Sequence, residues 1–249
     1  DFTSSWEKKT GTKPDCAVVY FPGGGSRRWQ LPYRGSIRNY IEGTGAELWI
    51  PLYPLLPDYD LMDETEFTIR LHEKMLKRFP AENIVWLGIS GGADVLMQAG
   101  RHMVKKYPEL PMPGLMLPVS VSGLLMSEDA KTRMRGIDSR DPILHWDMFE
   151  TMVKYYNPNG DLPQYILGKA DEDDYTGFPK IIMYFGGDEV FAGIAPDYEK
   201  SFIRCGVKDY EIKIKEGMPH AYPMFTFLKE GREGEREIIA DINRYFESC

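Results

Sequence analysis

Cysteine is scarce in this chain, with three in 249 residues, at Cys16, Cys205 and Cys249. They form no CxxC or other metal-ligand spacing and are too few for a disulfide framework. Cys16, at the head of an apolar run, reads as a buried thiol. Basic runs are missing as well. The 30 Lys and Arg stand against 38 Asp and Glu, giving a net charge of −8 with no basic stretch; this disfavours a nucleic-acid partner. No apolar run approaches the length of a transmembrane helix, and no leader peptide is visible. A cytoplasmic location is the expectation, although a leader removed before Asp1 would leave the same chain. Internal repeats and low-complexity tracts are absent. What remains, 43% hydrophobic and 27% charged residues, is ordinary globular composition, and the length suits one large α/β domain spanning residues 1–249.

Within that composition, apolar runs alternate with helical patterns. Runs at 17–21, 47–51, 84–88, 114–121, 180–185 and 210–215 are mostly bounded by Gly or Pro, as buried parallel strands require. Helical patterns lie between them, at about 35–42, 63–79, 92–107, 195–205 and 233–246. In the second of these, Phe67, Leu71, Met75 and Phe79 recur every fourth residue and predict an apolar stripe. The expectation is a mostly parallel central sheet with helices on both faces. Residues 210–215 alternate Tyr/Ile/Ile with Glu/Lys/Lys, which suits an edge strand. Residues 127–178 break the rhythm. They are rich in Asp, Pro and Met, hold one helical pattern at about 144–156, and predict an excursion above the sheet.

The chemistry concentrates where strands end. At Gly88-Ile89-Ser90-Gly91-Gly92, one serine sits among glycines between a strand and a helix, the G-x-S-x-G arrangement that exposes a nucleophile above a helix N-terminus. A helix-capping serine flanked by turn glycines is the plainer alternative. A serine hydroxyl needs a base, and the base an orienting acid. Of four histidines, His72 and His102 lie within helical patterns and His145 in the excursion. His220, in a loop after the last strand, has the position of the base. For the acid, Asp188 follows Gly-Gly after another strand, and its place ranks it above Glu189 and Asp197. The chain order Ser90, Asp188, His220 is that of α/β-hydrolases. Gly24 and Gly25, after the first strand, and Gly91 can offer backbone N–H groups to a developing oxyanion. A phosphate cradle is the alternative for the glycines, but no Lys-Ser/Thr follows and no G-x-G-x-x-G is present.

In combination, "YFPGGG", "YPLLPD", "GISGGA", "GGDEVF" and "EGMPHAY" resemble the motifs of the hormone-sensitive-lipase-like branch of α/β-hydrolases, the acetyl esterase and carboxylesterase group. The likeness runs over nearly the whole chain. It implies an α/β-hydrolase fold and a serine carboxylesterase acting on small, short-acyl esters through Ser90, Asp188 and His220. Gly24, Gly25 and Gly91 would form its oxyanion hole, and no cofactor or metal is implied. Three features depart from the family. Pro22 stands where a histidine is usual, Ile89 replaces a polar residue, and only about fifteen residues precede the Gly-rich strand, predicting a short or truncated N-terminal cap. Trp29, Tyr33 and Ile89 are candidates for the substrate pocket. Met126, Trp146 and Phe149 are candidates for a lid, and Arg27 and Arg28 for contact with an anionic substrate. The expected partner is a small-molecule ester; the oligomeric state is open, a homodimer included. Amide or formamide hydrolysis, peptidase action on the same triad, and a non-catalytic ligand-binding role are the rival readings.

Overall fold

The computed structural model describes residues 13–249. The first twelve lie outside the described residues, and the expectation of a short cap falls on them. Six strands form one sheet: β1 (Ala17–Phe21), β2 (Glu47–Trp49), β3 (Ile84–Ile89), β4 (Leu115–Val119), β5 (Lys180–Gly186) and β6 (Tyr210–Lys215). Among the described residues, eight α-helices accompany them: α1 (Arg34–Thr44), α2 (Leu61–Leu76), α3 (Gly91–Lys106), α4 (Glu128–Ile137), α5 (Met148–Tyr156), α6 (Gln164–Leu167), α7 (Ala195–Cys205) and α8 (Lys229–Ser248). Every strand pairing is parallel, in the order β2-β1-β3-β4-β5-β6. The chain therefore moves outward from β1 to β2, then crosses back to place β3 on the other side of β1. The carboxyl ends of β1 and β3 flank that reversal, where open α/β sheets bind their ligands.

Alternate residues of each strand feed two cores, since successive side chains point to opposite faces. Val18 and Tyr20 of β1, Val85 and Leu87 of β3, and Tyr184 of β5 pack with Tyr40 of α1 and with Ile238 and Ile242 of α8. Val19, Phe21, Trp86, Met183 and Phe185 pack on the other face with Ile69 of α2, with α3, and with Tyr198 and Phe202 of α7. β6 is an edge strand, as its alternation predicts.

Two expectations are revised. The buried face of α2 carries Leu61, Thr65, Thr68, Ile69, His72 and Met75, while Phe67 and Leu71 are only half-buried. Phe79 is buried, but beyond the helix end. The stripe is rotated because β-branched and polar residues, their hydroxyls bonded to carbonyls one turn back, take part in the buried face. The excursion holds three helices, not one. α4 is N-capped by Ser127, whose hydroxyl accepts from the Ala130 N–H at 2.9 Å, with Glu128 and Asp129 in the first turn favoured by the helix dipole. A satellite apolar cluster, Leu56, Leu61, Leu124, Tyr156, Ile166 and Leu167, ties the excursion to the loop before α2. A buried ion pair, Arg101 with Asp173 at 3.3 Å, anchors its far end on α3.

Candidate active site

Ser90 ends β3 and precedes α3. Its backbone sits at φ 53°, ψ −124°, a region disfavoured for a residue with a Cβ. The Ser90 N–H donates to Val119 C=O at 2.8 Å, and the Ser90 C=O accepts from Ala93 N–H at 2.7 Å, so the strained turn is fixed from both sides. The neighbouring glycines clear space for it. A Cβ on Gly92 would lie 2.1 Å from Phe21 O, and one on Gly88 would lie 2.4 Å from Gly92 O.

His220 arrives from the loop after β6. That loop crosses the end of β5 closely: a Cβ on Gly186 would lie 2.2 Å from Met218 O. The His220 Nε2 lies 2.8 Å from Ser90 Oγ, and Nδ1 lies 2.7 Å from Glu189 Oε2. Glu189 is fully buried. Its Oε1 accepts from Ser120 Oγ at 2.9 Å and from Gly186 N–H at 2.8 Å. Burial pushes its carboxyl above the ordinary range, while the bonds from His220, Ser120 and Gly186 oppose the rise. With Oε1 occupied by two donors, Oε2 is left to accept Nδ1–H, and Nε2 then accepts from the serine hydroxyl.

The expectation for Asp188 is corrected here. Its side chain faces outward, 26% exposed, and pairs with Arg140 at 3.1 Å. The turn after Gly186 and Gly187, pinned by Asp188 N–H to Met218 C=O at 3.0 Å, sends Asp188 toward the excursion and the next residue inward. Glu189 and Asp188 are chain neighbours, so position alone does not separate them; the apolar Val190-Phe191 that follows Glu189 is the signal for the inward side. No motif in the sequence marks Ser120. It lies at the end of β4 with φ 54°, and besides holding Glu189 it accepts from the Ala221 N–H at 2.9 Å. The ring of Phe191 packs edge-on against His220, with centroids 5.0 Å apart.

The Gly-rich loop after β1 lies directly beside this pair. A Cβ on Gly91 would sit 2.7 Å from Gly25 N, so the Gly25 amide and the N-terminus of α3 are adjacent. Among the described residues, the N–H groups of Gly24, Gly25 and Gly91 have no hydrogen-bond acceptor. Gly24 and Gly25 take φ 118° and 60°, which a side chain would resist. The loop's carbonyls are all held. Tyr53 Oη donates to Pro22 O at 2.5 Å, Gln30 N–H to Gly23 O at 2.8 Å and Arg27 N–H to Gly24 O at 3.3 Å. The Tyr156 hydroxyl donates to Gly25 O. Ser26, the next residue, donates from Oγ to buried Glu64 at 2.9 Å. Tyr53 thus supplies a brace at Pro22, where the family's histidine is missing.

The other expected residues scatter. Tyr33, 60% exposed, and Ile89 line a narrow cleft with Tyr20, Tyr40, Pro223 and Met224 on the α1/α8 side. Trp29 is not part of it, and its indole N–H donates to Tyr53 O at 3.0 Å. Phe149 is buried and packs on Phe191 at 5.1 Å. Trp146 lies under the Arg135 guanidinium at 4.1 Å, and Met126 is half-buried against the main core. Arg27 stacks over Tyr155 at 4.7 Å. No helix among the described residues is long and apolar enough to cross a membrane.

A parallel, doubly wound sheet with a serine on a sharp turn after its third strand defines the α/β-hydrolase class. The family model described as alpha/beta hydrolase fold matches residues 18–224, and the chain belongs to that family. No curated protein matches it by sequence. Among solved structures, EstE5 from a crystal soaked with ethyl alcohol superposes with a TM-score of 0.82 at 19% identity, over 95% of this chain and 79% of its own. An esterase/lipase from an uncultured bacterium gives 0.79 at 19% identity, with the same coverage of 95% and 79%. The HSL homologue EstE7 from a metagenome library gives 0.77 at 21% identity, over 93% of this chain and 79% of its own. The α/β-hydrolase family that the motifs imply is borne out.

Proposed function

We propose that this chain is a serine hydrolase of small, short-acyl carboxylic esters, working through an acyl-enzyme on Ser90. The observation that carries the reading is the continuous hydrogen-bonded line from Ser90 Oγ through His220 to Glu189, at 2.8 and 2.7 Å. His220 Nε2 takes the Ser90 proton as Oγ attacks the ester carbonyl. Glu189 holds the ring in the tautomer that makes Nε2 the acceptor and stabilises the imidazolium that forms. The N–H groups of Gly24, Gly25 and Gly91 receive the oxyanion, each such donor typically contributing about 3 kcal/mol in the transition state. His220 then protonates the departing alcohol and, in the second half, draws a proton from water to release the acid. The likeness to EstE5, whose crystals were also soaked with p-nitrophenyl butyrate, and to the uncultured-bacterium esterase/lipase favours ester substrates. The short acyl preference rests on the family resemblance and on the nearness of Phe149 and Phe191 to His220.

The test is hydrolysis of p-nitrophenyl acetate, butyrate and octanoate by the wild type beside Ser90→Ala. Turnover is expected, fastest on the shorter esters, with kcat lowered on the order of 10⁵–10⁶-fold by the substitution. Absence of turnover on all three by folded protein, or turnover that survives Ser90→Ala, overturns the reading.

A further inference from the structure

The helix α5 reaches both halves of the site. At its start, Phe149 packs on Phe191, which packs on the His220 ring. At its end, the Tyr156 hydroxyl donates to the carbonyl of Gly25, and the adjacent Tyr155 ring lies under Arg27 of the same loop. One short helix of the excursion therefore touches the base from one side and the anion-binding loop from the other.

The Tyr156 contact bears on the direction of the loop's amides. In a trans peptide the N–H points opposite the C=O. Fixing the Gly25 carbonyl toward α5 therefore fixes the peptide plane joining Gly25 to Ser26, and with it the Gly25 Cα that this plane shares with the plane carrying the Gly25 N–H. Gly25 N and Ser26 N lie 2.7 and 3.0 Å from where a Cβ on Gly91 would sit, so this plane borders the N-terminus of α3 beside Ser90. The other carbonyls of the loop are held by N–H groups of the loop itself, by the Leu56 N–H or by Tyr53, none of them from the excursion. Gly25 alone is held from the excursion. Tyr156 is buried, and burial together with the nearby carboxyls of Asp94 and Glu64 raises its phenol well above the ordinary range, so the hydroxyl remains a donor throughout the working pH range.

The geometry points to Tyr156 as a positioning residue that couples closure of α5 to the alignment of the oxyanion-binding amides. It acts through Gly25 and touches no substrate atom. The consequence is selectivity expressed in the chemical step. An acyl group that fits beneath α5 leaves the bond to Gly25 in place. One long enough to push α5 aside binds, but meets an anion site without its brace. The inference rests on the serine-ester reading above.

The experiment is Tyr156→Phe, which keeps the ring and removes only the donor. The wild type and variant are compared for kcat and KM on p-nitrophenyl acetate and octanoate, and for inhibition by a trifluoromethyl ketone. That ketone is attacked by the serine and holds a tetrahedral oxyanion. Active sites are counted by fluorophosphonate titration, and neither KM nor an inhibition constant depends on how much of the sample is folded. On acetate, kcat per active site is expected to fall about tenfold, a fraction of the loss for removing an oxyanion donor itself. KM is expected to stay near the wild-type value, the inhibition constant to rise by a similar factor, and the deficit to shrink on octanoate. An unchanged kcat, a loss confined to KM, or a kcat loss without change in the ketone's inhibition constant overturns the inference. If the wild type turns over no ester, this inference falls together with the proposed function. Ser90-dependent turnover that Tyr156→Phe leaves intact defeats this inference alone.

Discussion

Ser90 adopts a left-handed backbone although it is flanked by glycines that do not. The strain of the elbow is carried by the serine itself, while Gly88 and Gly92 are needed because backbone passes where their Cβ atoms would be. This sharpens what the motif alone says, since G-x-S-x-G announces a tight turn without saying which residue is strained. An alanine at Gly92 would place its Cβ 2.1 Å from Phe21 O and 2.6 Å from Pro22 O, both backbone atoms that cannot swing away. Gly92→Ala is therefore expected to cost about 3 kcal/mol or more, read as a lowered urea midpoint; a midpoint equal to wild type would show that β1 and α3 have room to separate. The same scale holds the misassigned acid. Ser90 and His220 were legible because each has few competitors in a suitable position. Asp188 and Glu189 are adjacent carboxylates, and only the direction of a two-glycine turn decides which faces inward.

At the scale of elements, all six strands and the helices α1, α2, α3, α7 and α8 were legible, because buried parallel strands and amphipathic helices write strong periodic patterns. The excursion was less so: α4 is short, charged and defined by its cap. The helix α2 shows how burial changes a titration. His72 Nε2 lies 2.8 Å from the Pro111 carbonyl, which can only accept, so this nitrogen carries the proton. Its Nδ1 is buried without a partner among the described residues, beneath an edge-on Trp86 ring at 5.0 Å. Desolvation therefore lowers the His72 pKa from 6.5, against a smaller upward effect of the Pro111 bond. The sign follows from linkage. Between 6.5 and the lowered folded value the unfolded chain binds the extra proton, so stability from this group is full above 6.5 and drains as pH falls. Glu64, Asp94 and Glu189, whose carboxyls burial raises, work in the opposite direction, so the difference from a variant isolates the histidine. His72→Gln is expected to be less stable than wild type at pH 7.5, with the gap in urea midpoint narrowing toward pH 5.5. A gap independent of pH would mean that His72 titrates alike in both states.

Across the whole molecule, the hydrogen-bonded side chains of the candidate site come from positions 90, 189 and 220, after three different strands, and meet because all six strands are parallel and end on one side. The reversal of strand order at β1 and β3 adds the Gly-rich loop to the same edge, and the excursion closes over it through α5. This assembly follows from topology; the alternation of strands and helices made the parallel sheet legible, but not the order of its strands. The bracing side chains, Tyr53, Ser120, Tyr156 and Glu64, were not legible, since each is an ordinary polar residue until the chain is folded. The measurement that tests the account most directly is kcat/KM on p-nitrophenyl butyrate for Asp188→Asn and Glu189→Gln, side by side with wild type. The account predicts a loss on the order of 10³–10⁴-fold for Glu189→Gln, as when the acid behind a catalytic histidine is neutralised, and a change within about threefold for the partly exposed, Arg140-paired Asp188→Asn. The reverse pattern, with Asp188→Asn inactive and Glu189→Gln near wild type, would contradict it.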